Sequence, residues 1–301
     1  MRILITGSEG LIGRNLRETL VRDGHHVLGY DIKAKVFEEK GNIKNFDQLQ
    51  KVLPETDGIV HLAGVSRVID GEKDPEECMR TNVEGTKYII RAALAAQQRP
   101  WILFSSSREV YGEPSVLPVP DTADLKPVNV YGESKVMCEK MILDARQGKL
   151  VTGIVRLSNV YGDTQDHSDR VIPAFCRTAA MGGQIRVEGG KNTFDFTHID
   201  DTVRGIVSFI HQLAQHRNLP PIPLLTGKGT TLEDLAKLAV KCGDVKCSIV
   251  EYPSRSFDVS KFYGVPIYAE KYLNWSAKIG IEEGVQRFVN AFKAVPERIS
   301  A

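Results

Sequence analysis

The sequence predicts an α/β fold, a doubly wound parallel sheet with a smaller C-terminal substrate-binding lobe. Three observations carry this expectation. Short apolar runs alternate with longer amphipathic segments through about the first 160 residues. That rhythm implies parallel strands, right-handed helical crossovers and a sheet covered on both faces. Three glycines spaced three apart follow the first apolar run, and the rhythm breaks after about residue 160.

The elements follow in order. Ile3-Leu4-Ile5 is a strand bounded by Gly7. Leu11, Ile12, Leu16, Leu20 and Val21 share one face of a helix that Gly24 ends. Val27–Tyr30, Gly58–Leu62, Trp101–Phe104 and Thr152–Leu157 read as further strands, with helices around 45–53, 83–97 and 132–146. Residues 161–195 hold loops and a short helix from about Pro173 to Ala180. Residues 200–213 look helical, and Pro220-Pro221-Ile222-Pro223 leads rigidly into a strand at 223–226. Thr230 with Glu233 three on is a capping-box pattern opening a helix to about 241. A last helix is expected over 282–295. The expected division is 1–160, returning at about 193–226, for the sheet domain, and 161–192 with 227–301 for the lobe.

Composition narrows the classes. The chain has 301 residues, enough for two domains or one large one at about 150 residues each. Its formal net charge is +1, so nothing points to nucleic acid or a polybasic membrane contact. No apolar stretch approaches the roughly 18 residues of a membrane span. The first strand starts at Met1-Arg2-Ile3, so no targeting leader is expected. Five scattered cysteines without a CxxC or Cys/His cluster read as reduced thiols of a cytoplasmic protein, with no disulfide and no metal.

Thr6-Gly7-Ser8-Glu9-Gly10-Leu11-Ile12-Gly13 lies between the first strand and the first helix. Gly7 permits a tight turn, Gly10 lets backbone approach a pyrophosphate, and Gly13 lets helix and strand pack closely. Free N–H groups and the helix dipole then favour phosphate. A plain structural turn would use the same glycines, but their position after the first strand favours a dinucleotide in a Rossmann-type sheet. Asp31 ends the second strand. A carboxylate there accepts from ribose hydroxyls and repels a 2′-phosphate, which favours NAD over NADP despite the nearby Arg14, Lys33 and Lys35.

Tyr131 and Lys135 are four apart and share a helix face. A phenol of pKa about 10 is a poor base at neutral pH. A neighbouring ammonium and a positive nicotinamide ring would favour its anion. Ser105-Ser106-Ser107 follow the fourth strand, where a hydroxyl can hold a reacting oxygen; a polar strand exit is the plainer reading.

On these residues the chain resembles the extended short-chain dehydrogenase/reductase family, in particular its NAD-dependent nucleotide-sugar epimerases and dehydratases. His61-Leu62-Ala63-Gly64, Ser105–Gly112, Arg156–Gly162, Phe196–Asp201 and Leu273-Asn274-Trp275 extend the likeness over nearly the whole chain. The resemblance implies Leu11 and Ile12 at the pyrophosphate, Ile32 beside the adenosine, and Asn42 and Ile43 flanking adenine. It implies Leu62, Ala63, Gly64 and Ser66 on the nicotinamide side, Asn82 and Ser105 completing the cofactor shell, and Ser107, Tyr131 and Lys135 as the catalytic set. Asn159, Arg170 and Arg255, with Asp258 three on, would hold the nucleotide-diphosphate sugar. A homodimer through the Asn82 and Tyr131 helices is implied too. Two departures stand out: Phe194 replaces an arginine common in relatives, and Arg108 stands where dehydratases carry an acid, with Glu109 retained. Arginine cannot protonate a departing hydroxyl.

The leading expectation is therefore an NAD-dependent nucleotide-sugar 4-epimerase. A 4-keto-sugar reductase uses the same residues but consumes reduced cofactor. A dehydratase, or a non-catalytic NAD-binding protein that kept only the fold, ranks below both. His198 reads as a buried hydrogen-bonding residue, and Asp200-Asp201 as caps of the following helix.

Overall fold

Period-two alternation decides how the first strand, β1 (Arg2–Thr6), is used. Ile3 and Ile5 face one helical layer and Leu4 the other. This computed structural model describes residues 1–255 and 259–294. After β1 come α1 (Leu11–Arg22), β2 (His26–Tyr30), α2 (Phe46–Val52), β3 (Gly58–His61), α3 (Val68–Lys73) and α4 (Pro75–Met79). Then follow α5 (Gly85–Ala95), β4 (Trp101–Ser107), α6 (Val130–Asp144) and β5 (Thr152–Leu157). The chain continues through β6 (Asn159–Tyr161), α7 (Val171–Met181), β7 (Gly183–Glu188), β8 (Thr193–Phe194), β9 (Phe196–His198), α8 (Ile199–Ala214) and β10 (Ile222–Leu224). It ends with β11 (Thr230–Thr231), α9 (Leu232–Cys242), β12 (Cys247–Tyr252), β13 (Lys261–Phe262), α10 (Ile267–Leu273) and α11 (Ile281–Ala294).

Six parallel strands form the main sheet in the order β2-β1-β3-β4-β5-β10. The order reverses beside β1, which opens a crevice at the carboxyl ends of β1 and β3. Leu16 and Leu20 of α1 and Ile206, Phe209 and Ile210 of α8 cover one face. Leu49 of α2, Ile89 of α5 and Ile142 of α6 cover the other. A third core joins α7, α9 and α11 through Phe175, Leu235 and Phe288, and forms the smaller lobe.

Several elements depart from expectation, each for a local reason. β4 runs through Ser107 because Ser106 and Ser107 keep pairing with Arg156 and Leu157. The serines are strand residues, not a strand exit. Helix begins at Pro75, ahead of the expected 83, because the Asp74 side chain accepts from Glu77 N (3.0 Å) and Pro75 needs no N–H partner there. Thr231, not Thr230, caps α9 by accepting from Asp234 N (3.0 Å), and Glu233 pairs with Lys237 instead. His198, not an aspartate, caps α8 through Nδ1, which accepts from Asp200 N (3.2 Å). Asp201 accepts from Lys278 N and Ile279 N instead, tying down the C-terminal segment. β7 lies where loops were expected and pairs in parallel with β12, a segment for which the sequence carried no expectation. Residue 295, the expected end of the last helix, lies outside the described residues. Among the described residues no helix is long and apolar enough to cross a membrane, and no cluster could hold a metal ion.

Candidate active site

A cleft of about 640 Å³ opens at the carboxyl ends of the strands, between sheet and lobe. The sheet side contributes Gly7, Gly10, Leu11, Ile12 and Gly13, then Leu62, Ser66, Ser105, Ser107, Tyr131 and Lys135. The lobe side contributes Asn159, Arg170 and Arg255.

The glycine turn is built for a close approach. Gly7 has φ +74°, and a Cβ there would stand 2.8 Å from Ala63 N. A Cβ on Gly13 would stand 2.2 Å from Gly7 O, so only glycine lets α1 begin this close to β1. No side chain caps α1 at Gly10 and its first turn holds no acid. Bare N–H groups at a positive helix end, beside glycines that leave space, fit a pyrophosphate. Asp31 accepts from Glu9 N (3.0 Å) and Lys33 N (2.8 Å), tying the glycine turn to the end of β2.

Other expected cofactor residues do not line the cleft. Ile32 is exposed, and the Asn42 side chain accepts from Lys44 N (2.9 Å). Ile43 is buried in the core, so it offers a ligand only its backbone. Ala63 N donates to Thr6 Oγ1 (3.2 Å). Gly64 lies against the Asn82 carboxamide. Asn82 accepts from Val65 N (2.8 Å) and donates to Val65 O and Ser134 Oγ (3.2 and 2.8 Å). Through these bonds the Asn82 side chain holds the loop after β3 against α6.

Asn129 sets the helix that carries Tyr131 and Lys135. Its side chain accepts from Gly132 N (2.8 Å) and donates to Glu109 Oε2 (2.9 Å), fixing the first turn of α6 against the end of β4. Ser107 Oγ accepts from Glu109 N (3.2 Å). Lys135 Nζ donates to Ser105 O (2.9 Å) and lies 5.7 Å from the centre of the Tyr131 ring. Burial pushes the Tyr131 phenol up to about 12, although hydrogen bonding with Ser107 pulls the other way. Burial also lowers the Lys135 ammonium. In the chain by itself desolvation therefore dominates the Tyr131 phenol, while the acidified phenol expected from the sequence needs the cationic nicotinamide ring as well as Lys135.

Behind these groups lies a network that the sequence did not reveal. Glu139 accepts from Ser106 Oγ (2.6 Å) and from Arg156 Nε and Nη2 (2.9 and 2.7 Å). Arg156 Nη1 also donates to Tyr111 OH (2.9 Å). Partners this far apart in sequence leave no spacing signal. His61 bridges Thr6 Oγ1 and Thr86 Oγ1 (2.8 and 3.1 Å), and burial lowers its pKa to about 3.

On the lobe side, Arg170 caps α7 and faces Asp166 at 3.6 Å. Arg255 faces Glu188 at 3.6 Å; Asp258 lies outside the described residues. Phe194 is buried, and Asp195 accepts from Thr226 N and Gly227 N (both 2.9 Å). Two ion pairs, Arg67–Asp169 (2.5 Å) and Arg14–Asp163 (3.0 Å), join the sheet side to the lobe side. Arg67, Asp169, Arg186 and Glu188 all line the cleft and were not anticipated.

Comparison with known proteins follows this geometry. The family model described as the NAD dependent epimerase/dehydratase family matches residues 3–219. A UDP-glucose 4-epimerase of Haemophilus influenzae is 26% identical, with 99% of each chain covered. UDP-glucuronic acid decarboxylase 1 of Arabidopsis thaliana is 27% identical over 97% of this chain and 70% of its own length. A solved UDP-glucose 4-epimerase of Thermotoga maritima, with UDP-glucose, superposes with a TM-score of 0.89 at 25% identity, covering 97% of this chain and 99% of that one.

Proposed function

The chain belongs to the NAD-dependent epimerase/dehydratase family, and from that premise we propose that it is a nucleotide-sugar 4-epimerase. The observation that carries the reading is one cleft whose lining includes Ser107, Tyr131 and Lys135 together with the uncapped glycine turn. Gly7 to Gly13 would hold the NAD pyrophosphate, Asp31 the adenosine ribose, and Leu62, Ser66 and Ser105 the nicotinamide side. Bound NAD would supply a reversible two-electron acceptor for sugar C4. Tyr131 removes the proton of the 4-hydroxyl while Ser107 holds that oxygen by hydrogen bonding. The phenol can act as a base only when positive charge beside it offsets its burial. Lys135 and the cationic ring of the oxidised cofactor are the two sources. Return of the proton from Tyr131 completes the second half. Asn159, Arg170 and Arg255 would hold the nucleotide diphosphate, which relatives named for UDP sugars suggest is a uridine one. Arg108 beside Ser107 gives no acid for dehydration.

Purified chain incubated with UDP-glucose, UDP-N-acetylglucosamine and UDP-glucuronic acid should form a 4-epimer, with no net change in reduced-nicotinamide absorbance. Failure across UDP-, dTDP-, GDP- and CDP-sugars defeats the reading; if a nucleotide 4-keto sugar supplied with reduced nicotinamide instead causes stoichiometric loss of that absorbance, the chain is a 4-keto-sugar reductase.

A further inference from the structure

Two arginines are buried among the described residues, and they are used differently. Arg156 donates from all three of its nitrogens, two of them to Glu139 and one to Tyr111. Arg108 is 9% exposed, and of its nitrogens Nη1 is buried without a hydrogen-bond partner among the described residues. Its Nη2 contacts Glu109 Oε1 at 2.8 Å, and its guanidinium lies 4.6 Å above the Phe194 ring. The Glu109 carboxylate is already shared with Asn129. A guanidinium can turn on an aromatic face, and among the described residues this one rests on the Phe194 ring, with Phe262 at 5.7 Å and one Glu109 carboxylate oxygen beside it. Arg108 also lines the cleft, next in sequence to Ser107. Leaving a buried guanidinium nitrogen without a hydrogen bond is costly unless a ligand supplies one. The planar fork matches paired anionic oxygens best.

Resting on the nucleotide-sugar reading of this cleft, we propose that Arg108 binds anionic oxygens of the substrate and so determines which sugar nucleotides the cleft accepts. Two groups present that chemistry: the diphosphate, and a carboxylate on the sugar beside the reacting carbon. On binding, Nη1 turns from its enclosed position toward the cleft, and Phe194 serves as the flat support for that turn.

The test is calorimetric binding of UDP, UDP-glucose and UDP-glucuronic acid to NAD-loaded protein, before and after Arg108→Met. Met keeps the length of the side chain and removes charge and donors. A diphosphate contact weakens all three ligands by about 10- to 100-fold. A carboxylate contact weakens UDP-glucuronic acid alone by a similar factor. Unchanged affinity for all three overturns the proposal. A second variant, Arg108→Met with Phe194→Arg, places a guanidinium in the same region from the other side, and should recover at least part of the lost affinity; no recovery in a folded, NAD-binding protein also counts against it. Affinity is read without turnover. Failure to epimerise would therefore sink the functional reading alone, and equal affinities would sink the role of Arg108 alone.

Discussion

Tyr131 is a reluctant base in the chain by itself. Burial holds its phenol near 12, and the nearest ammonium, Lys135, is engaged by the Ser105 carbonyl. Positive charge beside the phenol must bring that value down for turnover at neutral pH. The rate, kcat/KM, should therefore rise with pH as Tyr131 loses its proton. Lys135→Met should move that rise to higher pH and cost at least about 100-fold at pH 7. A pH profile unmoved by the substitution would show that Lys135 does not govern the phenol. At this scale the sequence was informative where chemistry follows a short spacing, as with Tyr131 and Lys135 on one helix face. It was silent on the pairing of Glu139 with Arg156 and on the bonds from Asn82 to Val65 and Ser134, which depend on partners brought together only by the fold.

At the scale of elements, β3 illustrates what burial costs. His61 is fully enclosed between Thr6 and Thr86 and stays neutral, with a pKa of about 3. In the unfolded chain it would titrate near 6.5. Between those values the unfolded state binds more protons, so stability is present above about 6.5 and is lost as pH falls toward 3. From pH 6.5 to 5 the loss from this one group is about 2 kcal/mol. Urea unfolding at pH 7 and pH 5 should show wild type losing about that much more than His61→Gln, which keeps a donor and an acceptor but cannot titrate. Equal losses would mean that His61 is not held neutral. The strands of the main sheet and helices α1, α2, α5, α6 and α8 were legible because each carries its own hydrophobic period, whereas the short α3 and α4 were not read. The β7–β12 pair was not, because its two short strands meet only through the lobe, and Ile185 and Val187 alone mark the buried face. The cap of α9 was misread by one residue because Thr230 and Thr231 are adjacent and each has an acid three positions on.

For the whole molecule, the reversal of strand order beside β1 and the lobe laid across the strand ends gather distant segments into one cleft. Arg67–Asp169 and Arg14–Asp163 join its two walls. That the glycine turn and the Ser107–Tyr131–Lys135 set would share a site was readable from their order along the chain. The surroundings of Arg108, and the inward use of Asn82, became visible only with the fold. In the proposed reaction one phenol, working with a reversible electron acceptor kept in the same cleft, inverts a sugar carbon without net redox change. It is tested most directly with a UDP-sugar deuterated at C4. The account predicts a 4-epimer that keeps its C4 deuterium, formed with no added cofactor beyond a catalytic amount and lost in Tyr131→Phe. An epimer that has exchanged C4 deuterium for solvent hydrogen, or turnover that survives Tyr131→Phe, would contradict it.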